Sequence, residues 1–374
     1  MTDVITANRR LGPGVERSVL ILLALAAALA VAATAGAHYG LLLVIGLGFG
    51  ITLEGLRFGF AGPWRAMIVR REPAGLLAQL VSIAIVAVFA IPLITANSTE
   101  LLGAHAPVGV AMLGGAFVFG AAMQVVLGCG SGTLVNAGSG NPVGVLALPF
   151  FAIGSFAGAY HLTWWTELGT APVVVFDGFD GVAVTLVGLA LVAAVALLVA
   201  APGTRWIPRR LWLAAGLLAA LALANLVVAG QPWGVVYGLG LWAAKGAGAL
   251  GADLSASAFW SAPTNVERMS QSILTDVTSL TNLGIIGGAF LVAAWRHGFT
   301  QPIPELPLRA WAATVVAGFL LGYSSRLAFG CNVGAFFSGV STGSLHGWAW
   351  FVMAFGGAWC GIRLRPALGL EVRR

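Results

Sequence analysis

Three stretches of this chain, residues 101–166, 211–244 and 327–362, contain no Asp, Glu, Lys or Arg. A soluble fold keeps its core out of water with a charged surface, about a quarter of all residues. Stretches this long without a charge cannot supply that surface. About 20 apolar residues cross a bilayer as a helix, so each stretch has room for one span or more. Composition agrees, with 59% of the 374 residues hydrophobic and 9% charged. The sequence predicts an all-α polytopic membrane protein.

Apolar runs bounded by charge, glycine or proline define candidate membrane segments at 19–37, 41–60, 75–96, 108–127, 143–160, 181–201, 211–229, 234–250, 277–295, 310–329 and 346–362. The first resembles a signal peptide, with Arg9, Arg10 and Arg17 ahead of an apolar stretch and small residues from Ala33 to Ala37. It is read here as a retained first span. The net charge of +6 comes from arginines scattered through short connections, such as Arg65, Arg70 and Arg71, then Arg205, Arg209 and Arg210. That distribution marks cytoplasmic loops under the positive-inside rule and argues against a nucleic-acid surface. Connections at 99–107, 167–180 and 253–276 are acidic and belong outside. The localisation implied is the bacterial inner membrane, crossed many times.

The two halves resemble one another. Residues 123–132 align without gaps onto 325–334 at a constant offset of 202 (129 to 331). Gly120 meets Gly322 at the same offset, and one inserted residue brings Gly154 to Gly357. Upstream, Gly48-Phe49-Gly50 is similar to Gly238-Leu239-Gly240. The expected organisation is a cytoplasmic segment at 1–17, a first membrane repeat at 18–201, a basic linker at 202–210, a second repeat at 211–362 and a basic tail at 363–374. Repeats with interrupted hydrophobic segments at matching positions point to a transporter whose site lies near the midplane. Basic sequence at 296–309 and 363–374 fits a strict inverted repeat poorly, so the relative orientation of the repeats stays open at this level.

Each half carries a Gly-Cys-x-x-Gly element followed by small and polar residues that do not continue a helix. The expected fold has these elements as re-entrant Gly-Cys loops meeting near the midplane. A helix that breaks inside a membrane leaves backbone N–H groups free to bind an anion. Candidate substrate-binding residues are Gly128, Cys129, Gly130, Ser131 and Gly132 in the first loop, and Gly330, Cys331, Asn332 and Gly334 in the second. A lone membrane cysteine packs as a small apolar side chain, and Cys360 takes that reading. Cys129 and Cys331 differ because they occupy matching places in the least helical part of each half. As neutral thiols they donate weakly to an anion, where a thiolate would repel it.

Arg326 stands five residues before Cys331, and a membrane arginine faces a cavity or a partner. It either attracts the anion or anchors the helix at the interface. Its counterpart is Gln124. Glu54 and Arg57 are spaced to pair on one helix face, with gating or proton coupling as the alternative for Glu54. His346 is either a helix-start hydrogen bonder or a proton site. Trp164, Trp165, Trp206, Trp233 and Trp350 read as interface and packing residues. No His and Cys spacing fits a metal, no phosphate-binding loop or Walker lysine is present, and no cofactor is expected.

The Gly-Cys loops, the segment Gly55-Leu56-Arg57-Phe58-Gly59-Phe60 and the run 330–361 resemble the YeeE/YedE family of sulfur-transport membrane proteins. The resemblance implies thiosulfate uptake, with cysteines on re-entrant loops passing the anion along through S–H contacts, and it gives Cys129 and Cys331 that role. It also brings in relatives linked to selenium compounds or to TusA-like sulfur carriers. The family's first conserved element carries a further cysteine, and this sequence has Phe58 and Gly59 there. The function expected is a non-enzymatic permease for thiosulfate or a related sulfur anion. Two other readings are a thiol or persulfide redox subunit working with a TusA-like carrier, and a passive channel whose cysteines only pack.

Overall fold

The structure is a computed structural model that describes residues 13–297 and 304–371. Helices α1 (Pro13–Thr34) and α2 (Ala37–Gly55) form an opening hairpin. The short α3 (Ala61–Arg70) leads to α4 (Ala74–Ala96), α5 (Val110–Val126), the nine-residue α6 (Gly130–Gly138) and α7 (Pro142–Tyr160). After α8 (Leu162–Thr166), α9 (Gly178–Leu198) and α10 (Arg209–Ala229) come α11 (Val236–Ala249), α12 (Pro263–Ser270), α13 (Val277–His297) and α14 (Leu308–Leu327). A π-helical turn at Asn332–Phe337, α15 (Ser338–Ser341) and α16 (Leu345–Leu364) complete the chain. Local chemistry sets several boundaries. Asn141 accepts from the Val143 and Gly144 N–H groups at 3.0 and 3.4 Å, and Pro142 fills the first position of α7, where its missing N–H costs nothing.

Nine helices are long and apolar enough to cross a membrane among the described residues. Large apolar side chains such as Leu22, Leu29, Phe89 and Leu191 remain on the outside of the bundle, as contact with lipid requires. Each expected membrane segment meets a helix, with one correction. Segment 234–250 becomes α11, whose 14 residues are too few to span a hydrocarbon core about 30 Å thick. Its amino-terminal end lies against the second cysteine loop, and Lys245 near its other end bonds the carbonyls of Met269 and Gln271. α16 has the length to cross, at 20 residues, though Trp, Gly and His dilute its hydropathy.

Contacts at the ends orient the long helices. Gly109, just before α5, bridges Thr170, in the connection that follows Trp165, whose indole donates to Tyr323 near the end of α14. The far end of α5 lies instead against Arg365, just past α16. α5 and α14 therefore run antiparallel. So do α7 and α16, since Tyr160 at the end of α7 and Ser344 at the start of α16 both meet the same set of connections. One end of the bundle gathers Glu100, Glu167, Asp177 and Asp253, and the other gathers Arg57, Arg65, Arg71, Arg205, Arg296 and Arg309. They are called the acidic and basic ends below.

α5 packs along α16, and α14 along α7. Both pairs approach until backbones touch. A Cβ added at Gly120 would lie 2.0 Å from Ala354 O, and one at Gly357 would lie 1.9 Å from Phe117 O. In the other pair, Gly322 meets Phe151 O at 2.0 Å and Gly154 meets Phe319 O at 2.0 Å. Small residues permit this contact between membrane helices. Gly120→Ala is expected to destabilise the protein by about 1–3 kcal/mol, the usual cost of overpacking. Gly114→Ala on the same helix, where an added Cβ meets nothing within 4 Å, is expected to leave the melting temperature of the detergent-solubilised protein unchanged.

Candidate functional site

α5 and α14 both stop inside the bundle, and for the same local reason. Leu127 and Phe329 adopt left-handed backbone at φ 53° and 55°, and only four non-glycine residues do so among the described ones. A bulky side chain in that region is strained and persists where surrounding contacts demand it. The next amide closes each helix end: Gly128 N–H bonds Met123 O at 3.2 Å, and Gly330 N–H bonds Ser325 O at 2.8 Å. The chain then extends through the cysteines, with φ and ψ of −82° and −164° at Cys129 and −92° and −167° at Cys331. Each cysteine begins a new helical turn, α6 in the first half and the π-turn in the second.

The first turn aims a backbone N–H at sulfur. Gly132 N–H reaches Cys129 Sγ at 3.4 Å, and Ser131 Oγ lies 3.4 Å from the same atom. Cys331 Sγ packs instead against Gly130 of the opposite loop, so the loops meet there. A Cβ at Gly130 would sit 2.6 Å from Cys331 Sγ, and no other residue fits this contact. Cys129 and Cys331 are free thiols, 1% and 0% exposed.

A cavity lies on each side of the paired loops, and neither Gly130 nor Cys331 lines either of them. The basic-end cavity, about 250 Å³, is lined by Leu127, Gly128, Cys129, Ser131 and Gly132, by Glu54 and Arg57, and by Phe58 to Pro63. The acidic-end cavity, about 450 Å³, is lined by Gly330, Gly334, Arg326, His346 and His105, and by the segment from Gln231 to Tyr237. Both walls use an irregular segment that dips inward, at 57–60 and at 231–235, and a buried amide side chain props each. Gln79 Nε2 donates to Gly59 O at 2.7 Å, and Asn282 Nδ2 donates to Val235 O at 2.8 Å.

Arg326 faces the larger cavity with its guanidinium 4.6 Å from the centre of the Phe259 ring and 5.8 Å from that of Tyr237. Aromatic faces hold a cation without neutralising it, and no carboxylate pairs with Arg326 among the described residues. Buried polar atoms nearby lack partners: Arg326 Nε, His346 Nε2, Trp233 Nε1 and both amide atoms of Asn332. Buried polar groups are rarely left so. The acidic-end cavity thus combines an unneutralised cation with several unspent polar groups.

Most residues singled out from sequence come together here. Cys129, Ser131, Gly128, Gly132, Glu54 and Arg57 line one cavity, and Arg326, Gly330, Gly334 and His346 the other. Gly130 joins the loops, and Asn332 is buried beside Cys331. Gln124 is buried and lines neither cavity; its Nε2 donates to Ala61 O at 3.0 Å. His346 Nδ1 and Ser344 Oγ are 2.7 Å apart, so the residue serves the helix start and faces the cavity as well. Trp233 and Trp350 are fully buried rather than interfacial. His105, Tyr237, Trp233 and Gln231 escaped notice as lining residues because they sit in connections far from either Gly-Cys element in sequence.

The sequence matches the family described as Sulphur transport over residues 56–360. A thiosulfate transporter, TsuA, of Spirochaeta thermophila is 25% identical over 340 residues, which cover 85% of this chain and 96% of that protein. Probable transporters YedE of Escherichia coli and Salmonella typhimurium are each 35% identical, over 104 and 102 residues. Those two matches span about a quarter of the relatives' length, 26% and 25%. The family match encloses both cysteine loops, both cavities' central walls and Arg326, and the chain belongs to the sulphur-transport (YeeE/YedE) family.

Proposed function

We propose that this protein carries thiosulfate, or a closely related small sulfur anion, across the bacterial inner membrane along a path from the acidic-end cavity, past Cys331 and Cys129, to the basic-end cavity. The observation that carries the reading is that the two cavities lie at opposite ends, one walled by Gly128, Cys129 and Gly132 and the other by Gly330 and Gly334, while the two loops touch between them at Gly130 and Cys331. The arginine-rich end is cytoplasmic by the positive-inside rule, which makes the acidic-end cavity the entrance. The likeness to a thiosulfate transporter along 85% of the chain supports the choice of substrate.

The two halves read as an inverted repeat with re-entrant loops. Support comes from the offset of 202 that relates α5 to α14 and one cysteine loop to the other, with the related helices antiparallel. The reversal of α11 toward the acidic end removes the objection raised by the basic loops, because it takes one crossing out of the second half. The boundaries at 18–201 and 211–362 follow from the same reading.

Capture of a dianion follows from the chemistry of the entrance. Arg326 supplies one full charge, and the unpartnered Trp233 indole and Asn332 amide supply neutral donors. At the crossing point both thiols donate weakly as S–H, and the glycine backbones donate beside them, so the anion sheds water without meeting a fixed counter-charge that would trap it. Gly59, in the Phe58–Gly59 stretch where the family resemblance implies a further cysteine, lines the same cavity as Cys129, and an added Cβ there meets nothing within 4 Å. This chain accordingly uses two thiols, with Arg57 and Glu54 at the exit. A TusA-like carrier is the expected acceptor on that side. A redox or persulfide role is less well supported, since both sulfurs are buried away from any approaching protein partner.

Expression in bacteria unable to take up thiosulfate tests the reading, with thiosulfate as sole sulfur source and membrane abundance matched. Growth is expected with the wild type and Cys360→Ala, and not with Cys129→Ala or Cys331→Ala. Equal growth with all four would leave a channel with packing cysteines, and none with the wild type would refute thiosulfate as substrate. Arg326→Gln is expected to raise the apparent KM for uptake about 10- to 100-fold, the worth of a hydrogen bond to a charged group. Concentration-dependent uptake of labelled thiosulfate measures it.

A further inference from the structure

α5 ends inside the bundle, and a helix end leaves its last carbonyls without intrahelical donors. Met123 O is taken by Gly128 N–H. The carbonyls of Gln124 and Val125 are taken by a single guanidinium nitrogen, Arg365 Nη1, at 2.7 and 2.8 Å. Arg365 follows α16 directly and is 5% exposed. Its Nε donates to Glu371 Oε1 at 2.6 Å, and the same carboxylate oxygen pairs with Arg65 of α3. α3 begins at Ala61, whose carbonyl accepts from the Gln124 side chain at 3.0 Å.

These contacts close a ring: the end of α5, Arg365, Glu371, Arg65, α3, and back through Ala61 to Gln124. The ring borders the basic-end cavity, since Ala61 forms part of one wall and Leu127, which follows the capped end of α5, part of another. The matching place in the second half is built differently. Gly330 N–H takes Ser325 O as Gly128 N–H takes Met123 O, but the carbonyl of Arg326, the counterpart of Gln124, is taken by the loop's own Phe329 N–H at 3.3 Å. Among the described residues, only the Cys129 loop is tied to a distant segment through a guanidinium.

The chemistry suits a firm hold that can be undone. A cation at a helix carboxyl terminus is favourable, and an ionised donor strengthens both hydrogen bonds. A buried guanidinium is costly unless paired, which is the part Glu371 plays. Burial pushes the Glu371 carboxyl up, but Arg365 and Arg65 together hold it below the ordinary carboxylate range, so it is ionised at neutral pH. Its stabilising contribution is present above the usual carboxylate pKa and is lost as pH falls through the depressed value.

We infer that residues 365–371 form a latch in which Arg365, fixed by Glu371, is a positioning residue for the Cys129 loop and keeps that thiol buried in the wall of the basic-end cavity. The inference rests on the transport reading, because it names what holds the exit of that path. It assigns the tail, which sequence presents as a basic cytoplasmic extension, a part in gating.

The test uses full-length Cys360→Ala protein in inside-out membrane vesicles, treated with a small membrane-impermeant maleimide. Peptide mass spectrometry reads labelling at Cys129 and at Cys331 separately. Glu371→Gln is expected to speed labelling of Cys129 about tenfold, the factor that corresponds to roughly 1.4 kcal/mol, and to leave labelling of Cys331 unchanged, with a modest fall in melting temperature from the lost ion pair. Arg365→Lys, which keeps the charge but loses the planar fork, is expected to fall between parent and Glu371→Gln. Unchanged labelling of Cys129, or equal acceleration at both cysteines, would overturn the latch. These two mild variants decide the matter even where Arg365→Gln does not accumulate in the membrane. Parent vesicles that show no thiosulfate flux would refute the transport reading, while labelling would still decide the latch.

Discussion

Two long helices of this protein end in the middle of an apolar bundle, and the polar backbone groups exposed there govern the rest of the structure. In hydrocarbon such groups are tolerated only where protein buries them or a wet cavity receives them. Here both occur. Some carbonyls are closed by the loops' own amides at Gly128 and Gly330, two are capped by Arg365, and the Gly132 N–H of the first following turn points at Cys129. The thiols thus sit where the two loops touch, between the two cavities.

Close packing makes that arrangement rigid. The glycines at 120, 154, 322 and 357 bring α5 onto α16 and α7 onto α14 at backbone contact, so each broken helix is gripped by a continuous one from the other half. Gln79 and Asn282 fix the inward-dipping segments in the same manner on opposite sides. Against this near-symmetry the differences stand out. The acidic-end cavity holds Arg326, His346 and His105, whereas the basic-end cavity has Arg57 and Glu54 at its mouth and a tail clamped across its wall. The two ends of the proposed path thus differ, with Arg326 unneutralised at one and the tied Cys129 loop at the other.

Much of this was legible in the sequence, and unevenly so. The charge-free stretches announced a helical membrane protein, because burying or lipidating that much apolar chain leaves no other fold. The offset between Cys129 and Cys331 located the site, since identical small residues at matched positions reflect identical backbone needs. What sequence could not convey was depth and direction. α11 carries the hydropathy of a span but turns back at 14 residues, because the preceding segment dips inward before the helix begins. Gln124 matched Arg326 in register and proved to be a strut to Ala61. Arg365 looked like one more cytoplasmic positive charge, and its burial depends on a contact with α5 some 240 residues away.

The central claim is that Cys331 and Cys129 lie in succession on one path, each facing a different side of the membrane. The most direct measurement is protection of the two thiols by substrate applied from one side at a time, using a small permeable thiol reagent on sealed vesicles of known orientation. Thiosulfate at the acidic-end face is predicted to slow modification of Cys331 first, and thiosulfate at the basic-end face to slow modification of Cys129 first. Modification rates that ignore thiosulfate on both faces would contradict the account.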